Sequence, residues 1–191
     1  MTNCWYNLNI DTSNAIKKDW QFPDPRYNAY GIWQLWAHEV FDQDWLNYTA
    51  NLGLDFGSLM LFYRGPWMST KGAHIDIATV EPFKIGTYGL NWIFGGEGSE
   101  MLWYDLPEGN IDILYTPAGT AYTYWPIHQL TKIDRYAINS VPTLVKVGNP
   151  HSITMGPNER WCISARPRLT RNMEWDEVVS HMKELGLLVD R

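Results

Sequence analysis

One stretch of sequence decides the fold: residues 151–165, which read HSITMGPNERWCISA. Two apolar runs of strand length flank Gly156-Pro157-Asn158, a strong turn signal because Gly accepts positive φ, Pro fixes φ and Asn bonds its own backbone. Similar short runs and turns recur from Ser58 to Pro167. Turns spaced about eight to twelve residues apart predict an all-β sandwich or barrel.

Working outward from this stretch, we predict ten short strands between two helices. The strands are expected at about 58–63, 73–80, 88–94, 101–106, 111–116, 121–125, 133–138, 143–147, 151–155 and 160–165. Apolar residues at helical spacing predict helices over about 39–52 and 173–185. Residues 1–38 are expected to be irregular, because Pro23-Asp24-Pro25 interrupts them. We therefore expect one mainly β, barrel-like domain, 1–191, with a β core over 58–167 and flanking N- and C-terminal helices.

Composition excludes several classes of protein. The formal net charge is −6, which disfavours nucleic acid as a partner because phosphate binding requires a basic surface. No signal peptide and no apolar run of about 20 residues is visible, so we expect no membrane segment and a cytoplasmic protein. The 11 Trp and 11 Tyr residues favour strands and a lined cavity. We expect its wall to contain four of them: Trp92, Trp103, Tyr104 and Trp125.

The segment His74-Ile75-Asp76 lies in a predicted strand. Residues two apart in a strand point to the same face, so the imidazole and the carboxylate project side by side. Two such ligands and a second histidine make the facial triad that holds non-haem Fe(II). Taken alone, the pair is better explained by a satisfied strand histidine beside a surface aspartate.

The second half of the candidate site begins at His151. Arg160 follows nine residues later and Ser164 four residues after that, and we expect a hairpin to bring both side chains close to His151. A guanidinium in this place suits the far carboxylate of a dicarboxylic keto acid, which it grips bidentately. Ser164 would add a hydroxyl donor. The alternative for Arg160 is an internal salt bridge.

Together these segments resemble the iron(II)- and 2-oxoglutarate-dependent oxygenases, in particular the prolyl hydroxylase and aspartyl/asparaginyl β-hydroxylase branches. The resemblance covers roughly residues 62–167. It implies a double-stranded β-helix (a jelly roll, cupin-like), with His74, Asp76 and His151 as iron ligands and Arg160 on the C5 carboxylate of 2-oxoglutarate. Ser164 stands where the family often places a Ser or Thr beside that carboxylate. The further residues expected near the co-substrate are Tyr88, Tyr63 and Asn91.

The resemblance implies a hydroxylase that oxidises a C–H bond and releases succinate and CO2. The substrate would be a small molecule or a side chain in a peptide. Two alternatives stay open. One is a cupin-type metal enzyme that does not use 2-oxoglutarate, which would need the histidines but not Arg160 and Ser164. The other is a non-catalytic jelly-roll binding module without a stoichiometric metal.

Overall fold

The structure, a computed structural model, describes residues 3–25, 30–79, 84–108, 112–115 and 121–189. The strands in chain order are β1 (Trp5–Leu8), β2 (Tyr30–Trp36), β3 (Ser58–Arg64), β4 (Gly72–Thr79), β5 (Lys84–Ile85), β6 (Tyr88–Gly95), β7 (Glu100–Tyr104), β8 (Leu114–Tyr115), β9 (Ala121–Pro126), β10 (Lys132–Ala137), β11 (Thr143–Lys146), β12 (His151–Thr154), β13 (Arg160–Ala165) and β14 (Leu188–Val189). The helices are α1 (Ala37–Val40), α2 (Gln43–Asn51) and α3 (Trp175–Glu184).

The strands form two antiparallel sheets. The first has the order β14-β1-β11-β6-β13-β3-β2, and the second has the order β10-β7-β12-β4-β9-β8, with β5 paired to β4. Within the described residues no pairing joins the edge strands of one sheet to those of the other. The prediction of a mainly β fold is therefore confirmed in the form of a sandwich, and the expected barrel-like closure is wrong.

Two layers of core residues surround the first sheet. Its inner face packs on the second sheet through a cluster that includes Ile93, Val145 and Cys162 on one side and Met101, Trp103 and Ile153 on the other. Its outer face carries Leu90, Trp92 and Ile163, which the helices cover with Trp45, Val178 and Met182. Because side chains alternate along a strand, β6 and β13 each contribute to both layers, and this alternation decides which residues face the second sheet.

The helices lie where expected, with sharper boundaries. In α3 the backbone N–H of Glu174 donates to Glu177 Oε2 at 2.8 Å, an acidic cap suited to the positive end of the helix dipole. Gly186 follows the helix at φ 69°, the left-handed conformation typical of a C-terminal glycine. The helix predicted over 39–52 is divided, because α1 ends at Val40 with Phe41 as its C-cap and Asp42 caps the start of α2 by accepting a hydrogen bond from Asp44 N at 2.9 Å.

Two features of the first and last segments differ from the prediction, and two predicted strands in the middle of the chain are only partly described. Residues 1–38 are not irregular throughout, since β1 and β2 form there and both join the first sheet. The short β14 follows the last helix and pairs with β1. Of the strand expected at 111–116, residues 114–115 are a strand and residues 111 and 116 lie outside the described residues, as does Val80 at the end of the strand expected at 73–80.

The expected hairpin from His151 to Ser164 is wrong. β12 pairs with β4 and β7 in the second sheet, whereas β13 pairs with β3 and β6 in the first. The turn between them is a corner that carries the chain across the sandwich. Glu159 is drawn to the first sheet because its carbonyl accepts a hydrogen bond from Gly96 N at 2.8 Å. Arg160 and Ser164 consequently belong to the first sheet and point toward the second sheet, which carries His151, instead of standing beside His151.

Within the part of the chain that the structure describes, no helix is both long enough and apolar enough to cross a membrane.

Candidate metal centre

His74, Asp76 and His151 meet between the two sheets. Strands β4 and β12 are neighbours, and their register places His74 directly opposite His151, with ring centroids 4.3 Å apart. Asp76 lies two residues beyond His74 on the same face. One ligand atom from each of the three side chains lies within 4.8 Å of the others. The structure thus brings together the three predicted metal ligands in a group that could hold one metal ion.

The imidazole of His151 is oriented by the backbone. Its Nδ1 lies 3.0 Å from the carbonyl oxygen of Asn149. Because a carbonyl only accepts, Nδ1 must carry the proton, and Nε2 keeps its lone pair. A ring nitrogen held in this way is the usual support for a metal-ligating histidine. His151 is only 5% exposed, so its neighbours also restrict the ring.

Both histidines are neutral at physiological pH. Burial lowers the pKa of His74 to about 3, with a further contribution from neighbouring His151. Burial is also the main cause that lowers the pKa of His151. Nearby Asp76 opposes both shifts and the positive charge of Arg64 adds to them. Since metals bind the unprotonated imidazole, the environment keeps both rings in the form that a metal requires.

Asp76 has its two oxygens directed to different partners. Oδ1 lies 3.8 Å from His74 Nε2, and Oδ2 lies 3.7 Å from a terminal nitrogen of Arg166. Arg166 is itself fixed, because its Nε donates to the carbonyl oxygen of Tyr88 at 2.6 Å. The Asp76 side chain is 38% exposed, so the group of ligands is open to solvent on this side and closed at His151.

Arg160 enters the space between the sheets from β13. It is 4% exposed, and its Nε is buried without a hydrogen-bond partner. Gly96 packs against its stem, so closely that a Cβ on Gly96 would come within 3.0 Å of the Arg160 Cβ. Gly96 also has φ 78°, which disfavours any other residue. The sequence therefore makes room for a buried arginine without supplying an anion to its Nε.

Ser164 and Asn91 lie side by side further along the same face. They are paired in the register of β13 and β6, and both share the inward face with Ile93 and Cys162. Asn91 is buried, and its Oδ1 has no hydrogen-bond partner. Ser164 Oγ would lie 3.0 Å from a Cβ on Gly89, so the glycine leaves space beside the hydroxyl. Two predicted co-substrate residues thus face the second sheet together with Arg160.

Tyr88 and Tyr63 do not join them, which corrects both expectations. Tyr88 lies on the outer face of β6, where its hydroxyl and that of Thr170 are 2.5 Å apart. Tyr63 also points outward, and its hydroxyl donates to Glu159 Oε2 at 3.1 Å. The reason is the alternation of side chains, since both tyrosines are an odd number of residues from inward-facing positions of their strands.

The expected aromatic wall is mostly wrong. Trp92 belongs to the outer core beneath the helices. Tyr104 and Trp125 lie on the face of the second sheet opposite to that of His151. His151 is paired with Trp103, the residue before Tyr104, and Trp125 is paired with Ala73, the residue before His74. Trp103 alone of the four shares the inner core, where its Nε1 donates to the carbonyl oxygen of Lys146 at 2.6 Å.

Sequence reasoning missed three residues at this site. Arg64 ends β3 and pairs in register with both Arg160 and Tyr30, and its guanidinium carbon lies 5.0 Å from the centre of the Tyr30 ring. The Tyr122 ring lies edge-on to that of His74 at 6.4 Å. Side chains two residues apart in a strand share a face, so an inward Phe62 would have predicted an inward Arg64. No signal in the sequence distinguishes Tyr30, because β2 was not predicted.

The charges around the site do not balance. Three arginines reach the inward face of the first sheet: Arg64, Arg160 and Arg166. Asp76 is the carboxylate that pairs with Arg166, and within the described residues neither Arg64 nor Arg160 makes an ion pair. A buried cation without a counter-ion is costly. The two guanidinium groups therefore suit a bound anion, next to the group of side chains that could hold a metal ion.

No protein-family model matches the sequence, and no curated protein matches it. Among solved structures, one match is described as "X-Ray structure of E. coli ycfD", with a TM-score of 0.35 and 14% sequence identity. The likeness covers 69% of this chain and 31% of that chain, so the present chain matches about a third of the other's length.

Proposed function

We propose that this protein is an Fe(II)- and 2-oxoglutarate-dependent oxygenase that hydroxylates a C–H bond of an organic substrate. The observation that carries the proposal is the position of Arg160, which is buried on the inward face of the first sheet and lacks a partner at Nε, while His74, Asp76 and His151 come together on the second sheet. A metal-binding protein of another kind has no need for a buried arginine with an unsatisfied Nε on the facing sheet.

The order of the strands supports the finer assignment of the fold as a jelly roll, or double-stranded β-helix. Eight core strands can be followed along the chain: β3, β4, β6, β7, β10, β11, β12 and β13. The first pairs with the last, the second with the seventh, the third with the sixth and the fourth with the fifth. This is the pairing of one long hairpin rolled into two sheets.

The metal ligands fit Fe(II). Two neutral imidazoles and one carboxylate form the 2-His-1-carboxylate set of non-haem iron oxygenases, which leaves other coordination positions free. Ligand atoms on one face of an octahedral ion are about 3 Å apart, so side-chain rotations within the observed 4.8 Å are sufficient to close the group. The exposed side at Asp76 leaves a route for substrate.

The wall opposite the ligands fits the keto acid. A carboxylate would accept hydrogen bonds from Arg160, whose Nε otherwise has no acceptor. Ser164 adds a hydroxyl. Asn91 lies in register with Ser164, and rotation of its amide presents a donor where its Oδ1 is now unpartnered. The apolar residues Ile93 and Cys162 between these groups exclude water from the same face.

Bound together, Fe(II) and 2-oxoglutarate would supply the oxidising chemistry, in which the keto acid, O2 and a C–H group give succinate, CO2 and C–OH. The contributions of the protein follow from its own residues. The Asn149 carbonyl fixes the tautomer of His151, Arg166 holds the carboxylate of Asp76, and Arg160 orients the co-substrate. Such positioning places reacting groups without an entropic cost at the moment of reaction.

The test is succinate production by purified protein supplied with Fe(II), 2-oxoglutarate and O2. We expect slow turnover that His74→Ala and Asp76→Ala abolish. Arg135→Ala is a matched control, since Arg135 is exposed on β10 and makes only a loose contact to Glu100 at 4.0 Å. Turnover retained in His74→Ala or Asp76→Ala would contradict the proposal.

Arg160→Ala separates this function from a cupin-type metal enzyme that does not use 2-oxoglutarate. In an oxygenase it lowers the affinity for 2-oxoglutarate and leaves metal binding intact. In the alternative enzyme, 2-oxoglutarate binds neither form. A non-catalytic jelly-roll module would be recognised by the lack of a stoichiometric metal after incubation with Fe(II).

A further inference from the structure

A second cationic group lies beside the proposed co-substrate site. Arg64 is the direct neighbour of Arg160 across β3 and β13, and both face the second sheet. The co-substrate has a single carboxylate remote from the metal, and Arg160 is assigned to it. Arg64 is then left without an anion among the described residues. A role for Arg64 in substrate binding rests on the proposed function and adds the class of substrate to it.

Arg64 lies at the same end of the sandwich as the metal ligands. It is the last residue of β3, and after a short connection the chain enters β4, where His74 is the third residue. Phe62, two residues before Arg64, packs against the inner core, so the side chain of Arg64 also points to the inner side of the sandwich. Burial lowers the pKa of Arg64, and neighbouring Arg160 adds to this shift. A cation in that position is stabilised when a negatively charged group occupies the space in front of it.

Two phenols flank this space from opposite sheets. Tyr30, on the edge strand β2, lies beneath the Arg64 guanidinium at 5.0 Å. Tyr122, on β9, is in register with Asp76 and contacts the His74 ring edge-on. β2 lies beside β3 and β9 lies beside β4. Burial is the main cause that raises the pKa of Tyr30, and Tyr122 and Asp76 add to this shift, so the three groups border the same region. Tyr30 is 39% exposed, which places it at the entrance rather than in the core.

The geometry points to a substrate-binding pocket in which Arg64, Tyr30 and Tyr122 bind a carboxylate group of the substrate next to the metal. One guanidinium and two hydroxyls offer a planar fork of donors and two further hydrogen bonds, which matches a monoanion with two oxygens. The C–H group to be oxidised would then lie between this carboxylate and the metal. We therefore expect an acidic substrate: a free amino acid or similar small carboxylate, or an acidic residue of a peptide.

The test separates this inference from the proposed function. Calorimetry first measures 2-oxoglutarate binding to protein loaded with Mn(II), a redox-inert substitute for Fe(II). Thermal stability is then measured on the loaded protein with a panel of N-acetyl amino acids, their primary amides, and capped tripeptides with a central Asp or Glu. N-acetyl amino acids test a terminal carboxylate, and the capped peptides test a side-chain carboxylate.

We expect at least one carboxylate to raise the melting temperature while its amide does not. Arg64→Gln should weaken that binding by about tenfold or more, Arg64→Lys should restore part of it, and Tyr30→Phe and Tyr122→Phe should each weaken it less. Arg135→Gln is the control and should change nothing.

Three results would overturn the inference: equal binding of acids and amides, no binding by any carboxylate of the panel, or loss of 2-oxoglutarate itself in Arg64→Gln. The last result would assign Arg64 to the co-substrate. Failure of 2-oxoglutarate to bind the unmodified protein would instead contradict the proposed function, and it is detected in the first step.

Discussion

Replacing Arg160 by methionine should stabilise the empty protein while removing its response to 2-oxoglutarate. Methionine keeps an unbranched stem of similar length against Gly96 but removes a buried donor that lacks a partner at Nε. An unsatisfied buried polar group costs about 1–3 kcal/mol, and replacement of buried charge by apolar groups is often favourable. We expect the free energy of unfolding of metal-free Arg160→Met to rise by about 1–3 kcal/mol.

Binding of 2-oxoglutarate should reverse this order of stability between Arg160→Met and the unmodified protein. At about a hundredfold excess over its dissociation constant, a ligand specific for the native state stabilises it by about 2.7 kcal/mol. The unmodified protein loaded with Mn(II) should gain this amount from 2-oxoglutarate, and Arg160→Met should gain little. Urea denaturation with and without ligand measures both effects. Arg168→Met is the matched control, because Arg168 is exposed and pairs loosely with Asp55 at 3.6 Å, so its change should stay within about 0.5 kcal/mol. Destabilisation of metal-free Arg160→Met would refute the reasoning, since it would mean that the fold itself uses the charge.

Three further predictions concern the fold. Trp67 has φ 61° and is 71% exposed. Trp67→Gly should raise the free energy of unfolding by about 1 kcal/mol because it relieves left-handed strain, whereas Trp67→Ala keeps the Cβ and should leave the free energy unchanged. Equal effects of the two substitutions would contradict the strain at this position. Met182 is fully buried where α3 meets the first sheet, so Met182→Ala should lower the free energy of unfolding, measured by urea denaturation, by about 2–5 kcal/mol. A decrease below about 1 kcal/mol would mean that this residue does not anchor the helix to the sheet. Cys4 and Cys162 are buried, and burial is the main cause that raises the pKa of the Cys162 thiol. At mildly alkaline pH a thiol reagent should therefore label both cysteines only after unfolding. Rapid labelling of the native protein would contradict their burial.

Much of the fold could be predicted because alternation and turn residues act locally. The runs that became β3, β4, β6 and β13 are bounded by Gly, Pro and Asn, and their inward and outward residues alternate as expected. Strand pairing is different, since it depends on distant partners. Gly156-Pro157-Asn158 is compatible with a hairpin and with a corner between sheets, and only the pairing of β12 with β4 separates the two possibilities.

In the candidate site, too, local rules predicted some features, while others depend on distant strands. His74 and Asp76 could be placed on one face because residues two apart in a strand share it. The same rule shows that Tyr88 and Asn91, three apart in one strand, could not both face the site. The neighbours of Tyr88 on its own face, Leu90 and Trp92, are large and apolar and pack beneath the helices, and this leaves Asn91 on the polar inner face.

The residues that were missed depend on long-range packing. β2 is the outermost strand of the first sheet, and its sequence follows a segment rich in turn residues, so Tyr30 had no local signal. Tyr122 was assigned to a strand, but its approach to His74 requires β9 to lie beside β4, across many residues of intervening chain. Arg64 ends its strand next to Gly65-Pro66, where an arginine is ordinarily solvated.

The central claim is that one metal ion and one keto acid bind together between the sheets. Its most direct test is anaerobic titration of the protein with Fe(II) and then 2-oxoglutarate, followed by visible absorption for the weak charge-transfer band of a keto acid chelated to iron. The account predicts one band at one equivalent of each, lost in Asp76→Ala and His151→Ala, and requiring more 2-oxoglutarate in Arg160→Met. A protein that binds Fe(II) without developing the band at saturating 2-oxoglutarate would contradict it.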